Sequence, residues 1–205
     1  MLSLLFWDVD TQVDFMDPAG KLYVPGAEKI IGRIQQLTSF AAEHGIPVIA
    51  SVDAHLETDP EFRDYPPHCL VGTPGQKKVA GTLLCGHYVI PNRKIDLPAN
   101  LASYPEIVVE KQATDVFTNP NVDKLLGCLG PDREIILYGV VTEICVEQAA
   151  RGLCQRGYRV HLVRDAIQHL DVAKGSATIA EVGRHGGRLL TSDEVLSEVR
   201  ASKVA

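Results

Sequence analysis

Cys145 is the residue around which the chemistry of this chain can be organised. It stands in Gly139-Val140-Val141-Thr142-Glu143-Ile144-Cys145-Val146, directly after the apolar run 134–138. The run predicts a buried strand that Gly139 stops. Thr142 then fits the N-cap of a helix whose apolar face is Val146, Ala149, Ala150 and Leu153, spaced i, i+3, i+4 and i+7. Cys145 falls in the first turn of that helix. Unpaired backbone N–H groups and the positive end of the helix dipole favour a thiolate there. The same N–H groups suit an oxyanion formed when the thiolate attacks a carbonyl. The plain alternative is a core cysteine on a helix packed against a sheet, the commoner fate of a free cysteine.

A thiol nucleophile needs a base, and its leaving group needs an acid. Asp10 and Lys111 each follow a predicted strand. In a parallel sheet such strand ends converge on one edge, so a carboxylate and an ammonium could meet the thiol there. Asp53-x-His55 together with His68 has the ligand types for a divalent metal, one carboxylate and two imidazoles. An extended backbone points Asp53 and His55 to one side. A loop with surface histidines is the plain alternative.

The elements that must position these residues alternate. Strands are predicted over 2–9, 47–52, 88–90, 107–110, 134–138, 158–163 and 188–190. Helices are predicted over 27–44, 121–129, 142–153, 172–184 and 193–200. Alternation of this kind implies an α/β fold, a three-layer α/β/α sandwich with a central, mostly parallel, Rossmann-type sheet. Residues 53–84 are long and irregular, and such stretches inside a domain are usually functional. Asp8 reads as part of the first strand and not of the reaction.

The chain has 205 residues, which suits a single domain over 1–205. The net charge of -6 argues against nucleic acid or an anionic membrane as the main partner. No apolar run approaches the roughly 20 residues of a membrane span. The N-terminal residues lack a basic segment and read as a strand, not as a signal peptide. Five cysteines, Cys69, Cys85, Cys128, Cys145 and Cys154, are odd in number and irregularly spaced. That points away from a disulfide framework and towards a reducing cytoplasm.

Taken in order, five segments form one pattern. They are Asp10-x-Gln12-x-Asp14-Phe15, Asp53-x-His55, Pro66-Pro67-His68-Cys69 with Gly72-Thr73-Pro74-Gly75, Glu110-Lys111, and the segment 139–146. This pattern resembles the isochorismatase-like cysteine hydrolases, and within them the nicotinamidase branch. The resemblance runs from the first strand to about Asp165. It implies a triad of Asp10, Lys111 and Cys145. It also implies a cis peptide at Val140–Val141 that turns the Val141 N–H towards the oxyanion beside that of Cys145. A divalent metal, zinc or else iron or manganese, would sit on Asp53, His55 and His68, with Phe15 and Tyr65 at the substrate. The implied reaction is hydrolysis of a small carboxamide through a thioester, nicotinamide leading. Another small substrate of the family, an N-carbamoyl or ureido compound or isochorismate, is the alternative, as is a non-catalytic relative that binds a small molecule. Members of the family are often homo-oligomers. The departures fall on the expected ring-binding walls. Ala54 and Tyr65 stand where tryptophans are usual, Asp59 and Glu61 replace a histidine and a serine, and Glu143 replaces an aspartate.

Overall fold

Seven short runs of mainly apolar residues pair into one sheet in the computed structural model, which describes residues 4–130 and 132–204. They are β1 (Leu4–Val9), β2 (Val48–Asp53), β3 (Tyr88–Ile90), β4 (Glu106–Lys111), β5 (Glu134–Val140), β6 (Arg159–Gln168) and β7 (Leu189–Leu190). Their order is β3-β4-β2-β1-β5-β6-β7, and every neighbouring pair is parallel. Six α-helices connect or flank them: α1 (Val13–Met16), α2 (Ile31–His44), α3 (Val122–Leu129), α4 (Glu147–Gln155), α5 (Val172–Arg184) and α6 (Ser192–Val204).

Side-chain alternation along β1 divides the core. Leu5, Trp7 and Val9 face α3 and α4, packing with Leu125, Leu126, Ala149 and Leu153. Phe6 faces the other way, towards Ile34 and Leu37 of α2 and Val195 and Leu196 of α6. Helices therefore cover both faces, and β2 is buried at all six positions. The result is the expected three-layer α/β/α sandwich. No helix among the described residues is long and apolar enough to cross a membrane.

Most predicted elements form within a residue or two of their expected bounds, with informative differences. The first helix begins as a 3₁₀ turn, Ala27–Ile30, before α2, and Gly45 ends it in the left-handed region at φ 64°. Gly139 does not stop β5, which runs on to Val140. At φ 118° its Cα lies so close to β1 that a Cβ would come within 2.1 Å of the Val9 carbonyl oxygen, so glycine is required by close approach. Thr142 is not an N-cap. The helix opens as a π-helical turn, Thr142–Val146, in which the Val141 carbonyl accepts from the N–H groups of Ile144 and Val146, both at 3.1 Å. Backbone thus does the work expected of the threonine hydroxyl, which is buried without a partner. β6 is longer than the predicted 158–163, because a register shift between Leu137 and Gly139 lets pairing resume at Ile167 beyond the charged pair Arg164-Asp165. Residues 1–3, part of the predicted first strand and of the N-terminal reading, lie outside the described residues.

Candidate active site

The chain leaves β1 for β2 on one side and returns later to β5 on the other, so a crevice opens at the C-terminal ends of these strands. Asp10 follows β1 and adopts a left-handed φ of 52°, a conformation that side-chain-bearing residues rarely hold. Asp53 and Lys111 end β2 and β4 as register partners. Cys145 lies in the π-turn beyond β5, after a cis peptide between Val140 and Val141.

These placements bring Asp10, Lys111 and Cys145 together. The Lys111 Nζ is 2.9 Å from Asp10 Oδ2, 2.5 Å from Asp53 Oδ1 and 3.7 Å from Cys145 Sγ. All four side chains are buried. Burial pushes the Asp10 carboxyl up to about 6, against the pull of Lys111 and with a further push from Asp53. Burial acts the same way on Asp53, but Lys111 and the facing imidazoles outweigh it and hold that carboxyl below the usual carboxylate range. The Cys145 thiol is raised well above its ordinary value. Burial is the main cause, Lys111 opposes it, and Asp10 and Asp53 add to it. The expectation of a resting thiolate is therefore corrected, since a helix N-terminus and one lysine do not offset desolvation beside two carboxylates.

Asp53, His55 and His68 also converge, and Glu61 joins them. One ligand atom from each lies within 4.8 Å of the others. The imidazoles are held by their Nδ1 atoms, His55 on Asp59 Oδ2 at 3.0 Å and His68 on the Pro66 carbonyl at 2.8 Å. That leaves both Nε2 atoms turned towards Asp53 Oδ2, at 3.7 and 3.5 Å, and Glu61 Oε1, at 3.7 and 3.8 Å. His55 Nε2 is buried with no hydrogen-bond partner. Two oriented nitrogens, two carboxylates and an orphaned buried Nε2 fit a divalent cation such as zinc. Phe62 packs against both imidazoles and Phe15 against His68.

Both groups border one cavity of ≈ 90 Å³. Phe15, Tyr65, Val141 and Cys145 line it with Asp53 and His68, and Leu22, Tyr23, Val24, Glu61, Thr114, Ile144 and Leu170 complete the wall. Val140 is buried in the sheet and does not reach the cavity. Ala54 is likewise buried away from it, its N–H donating to the Lys111 carbonyl at 2.8 Å.

The structure gives roles to motif residues that the sequence named without one. Gln12 is a clamp: its amide accepts from the Asp53 N–H at 2.7 Å and donates to the Asp53 and Gln76 carbonyls at 2.8 and 2.7 Å. Asp14 accepts from the Cys69 N–H at 2.7 Å, fixing the chain next to His68, and a Cβ on Gly75 would collide with that carboxylate. The polar residues that follow Asp10 thus hold the metal-type ligands in place. Glu143 accepts from the N–H groups of Leu170 and Asp171 and so ties the turn before α5 to the Cys145 turn. Glu61 carried a signal, a carboxylate close after His55 in the irregular loop, but it read as a departure from the expected pattern.

Comparison with known proteins points the same way. The Isochorismatase domain family matches residues 4–194. Isochorismatase domain-containing protein 1 of Danio rerio is 31% identical over 136 residues, which cover 63% of this chain and 47% of that protein. The chain thus spans about half the length of such curated relatives. Pyrazinamidase of Pyrococcus horikoshii, solved in complex with zinc, superposes with a TM-score of 0.75 at 27% identity over 92% of this chain and 99% of its own. N-carbamoylsarcosine amidase of Thermoplasma acidophilum superposes with a TM-score of 0.77 at 24% identity over 94% and 98%, a likeness of fold.

Proposed function

The chain belongs to the isochorismatase domain family, and from that premise we propose that it is a cysteine hydrolase of small carboxamides. One observation supports this most directly. A single ammonium, Lys111 Nζ, touches both a carboxylate and a thiol at the floor of a cavity large enough for a small ring.

On this reading Asp10 is the base. It accepts the Cys145 proton as sulfur bonds to the amide carbon and the carbonyl electron pair moves onto oxygen. The N–H groups of Val141 and Cys145 donate to that oxyanion. Collapse breaks the C–N bond, Asp10 returns its proton to the departing nitrogen, and ammonia leaves a thioester. Water, deprotonated by Asp10, attacks the thioester carbon; the C–S bond breaks, the proton returns to sulfur, and the acid is released. Lys111 orients Asp10 and balances its charge throughout. Because burial holds the thiol well above its ordinary value, attack needs Asp10 to take its proton.

Asp53, His55, Glu61 and His68 would hold a divalent ion, with zinc the first candidate. Such an ion would supply a Lewis-acidic position that fixes a heteroatom of the substrate. Phe15, Tyr23 and Tyr65 offer aromatic walls for a flat ring, so nicotinamide is the leading substrate. On the same reading the chain is one hydrolase domain that works in the cytoplasm as a homo-oligomer.

Ammonia release from a panel of small amides and ureides, with carbonyl release from a vinyl ether, tests the proposal. Turnover of nicotinamide is expected. If another amide reacts and nicotinamide does not, the triad stands and the substrate changes. If nothing in the panel reacts, the hydrolase reading is wrong.

A further inference from the structure

We infer that Glu143 is a positioning residue that sets the width of the cavity mouth, because it holds Leu170 against the turn that carries Cys145. The inference rests on the hydrolase reading of this site and concerns how wide a group can reach the thiol. Leu170 marks where the cavity meets solvent. It is 54% exposed, whereas the other lining residues are buried or half-buried. An apolar side chain that far out, on the short connection between β6 and α5, could swing if its backbone were free. The backbone is pinned instead. Glu143 Oε1 accepts from the Leu170 N–H at 2.8 Å and from the Asp171 N–H at 2.6 Å. Its Oε2 is buried with no partner, so those two bonds are what hold the carboxylate. N–H groups at the start of α5 suit that task, since the bonds are charge-assisted and the positive end of the helix dipole lies there.

Glu143 stands next to Ile144, another lining residue, and shares the π-helical turn with Cys145. Its hold on Leu170 therefore fixes one lip of the mouth relative to the nucleophile itself. The other end of the same connection is fixed as well. Gln168 Nε2 donates to the Pro25 carbonyl at 2.7 Å, beside Tyr23 and Val24 of the wall. Between these two ties the lip cannot give way to a wide group. A cavity of ≈ 90 Å³ behind such a lip admits a single flat ring and stops fused or branched ones, whatever their polarity. An aspartate at 143 would be one methylene shorter and would reach the same N–H groups only if Leu170 moved closer to Cys145. The glutamate is thus matched to the position of this lip.

Alkylation of the protein with iodoacetamide and with N-(1-pyrenyl)iodoacetamide, read by peptide mass spectrometry, tests this. The two reagents carry the same reactive group and differ in width, and the exposed Cys85 gives their intrinsic rates in each sample. Relative to Cys85, Cys145 should prefer the small reagent by at least about 100-fold. Leu170→Ala and Glu143→Ala should each narrow that preference by about tenfold. Glu143→Gln keeps an oxygen that can accept the same two bonds and should stay within about threefold of wild type. Asp171→Ala removes the side-chain cap of α5 but keeps both N–H groups, so it should leave the preference as it is. Cys145 that takes both reagents as Cys85 does, or takes neither, overturns the inference. So does an Asp171→Ala variant that narrows the preference as far as Glu143→Ala, since the loss would then be a general loosening. If the variants behave as stated but no amide in the turnover panel reacts, the mouth stands and the hydrolase reading falls. If amides react while Cys145 shows no preference, the reading stands and the inference falls.

Discussion

Two buried lysines each sit between two carboxylates. Lys78 lies 2.6 Å from Asp8 Oδ2 and 3.1 Å from Glu106 Oε1. Lys111 lies 2.9 Å from Asp10 Oδ2 and 2.5 Å from Asp53 Oδ1. In both clusters burial is the largest influence on the acid from β1, raising Asp8 and Asp10 alike against the pull of the lysine. Their surroundings differ. Around Lys78 the Thr11 hydroxyl donates to the same Asp8 Oδ2, the Leu84 N–H donates to Glu106 Oε2, and none of Asp8, Lys78 and Glu106 lines the cavity. Around Lys111 the neighbours are a thiol, a metal-type group and open space. The same three charges are an anchor for the returning loop in one place and candidate machinery in the other. What separates them is access and a nucleophile, not the charges themselves.

The sharpest way to break this comparison is to remove the nucleophile. Cys145→Ala should abolish amide turnover while leaving the urea midpoint within about 0.5 M of wild type, since a small side chain at the floor of a cavity is lost. Asp10→Asn keeps the shape and removes the base, and should cost on the order of 10²-fold or more in kcat. Residual activity near wild type in either variant would put the chemistry elsewhere. The Lys78 cluster should respond in the opposite way. Lys78→Met leaves two buried carboxylates without their counter-charge, which should cost about 3–5 kcal/mol in urea unfolding. Its folded fraction should keep the pH–rate profile of the wild type. A Lys78 variant that folds normally but loses turnover would erase the distinction between the two clusters.

The sequence carried the two clusters unequally. Asp10, Lys111 and Cys145 were legible because each follows a strand-like run and each falls in a recognisable motif. Lys78 carried no such mark, since it lies in an irregular stretch and its partners come from β1 and β4. The layers and strand count followed from alternation of apolar runs, because burial on both faces leaves a plain trace. Local detail did not. Thr142 read as a cap because side-chain capping is the usual solution, and nothing local reveals that the Val141 carbonyl serves two N–H groups instead. Arg164-Asp165 hid the second half of β6, since charges normally end a buried strand. Glu61 reaches the metal-type group through a loop whose path no periodicity encodes.

A smaller effect would sharpen the role of the orienting residues. Asp59 holds His55 by its Nδ1 and also accepts from the Leu56 N–H at 3.0 Å. Asp59→Asn should weaken zinc binding by about 10–100-fold in a chelator competition titration, because the imidazole loses the partner that fixes its ring and raises its basicity. Zinc affinity equal to wild type would mean that the ring is set by packing against Phe62 alone. No equivalent is expected at the Lys78 cluster, where adding zinc should stabilise Lys78→Met by no more than it stabilises wild type.

The gentlest probe is pH, and it separates the clusters without mutation. Asp10 must be ionised to accept the thiol proton, and burial holds its carboxyl up at about 6. Below that value the active form falls about tenfold per pH unit, so kcat/KM should decline with unit slope as pH drops through about 6. Stability should move the other way for this group. A carboxyl that binds its proton more tightly when folded than when unfolded contributes most below the ordinary carboxylate range, and that contribution is lost as pH rises through about 6. Asp53 does not offset this change, because a carboxyl held low stabilises the fold above the ordinary range and loses that contribution only in acid. The contribution of Asp10 to stability should therefore fall between pH 5 and 7 while turnover climbs steeply. Replacing Asp10 by Asn should remove the Asp10 part of the stability slope together with the turnover, whereas Lys78→Met should leave the acid limb of the rate profile where it is. An acid limb that tracks unfolding, or that survives in Asp10→Asn, would assign the titration to another group and end the claim that Asp10 is the base.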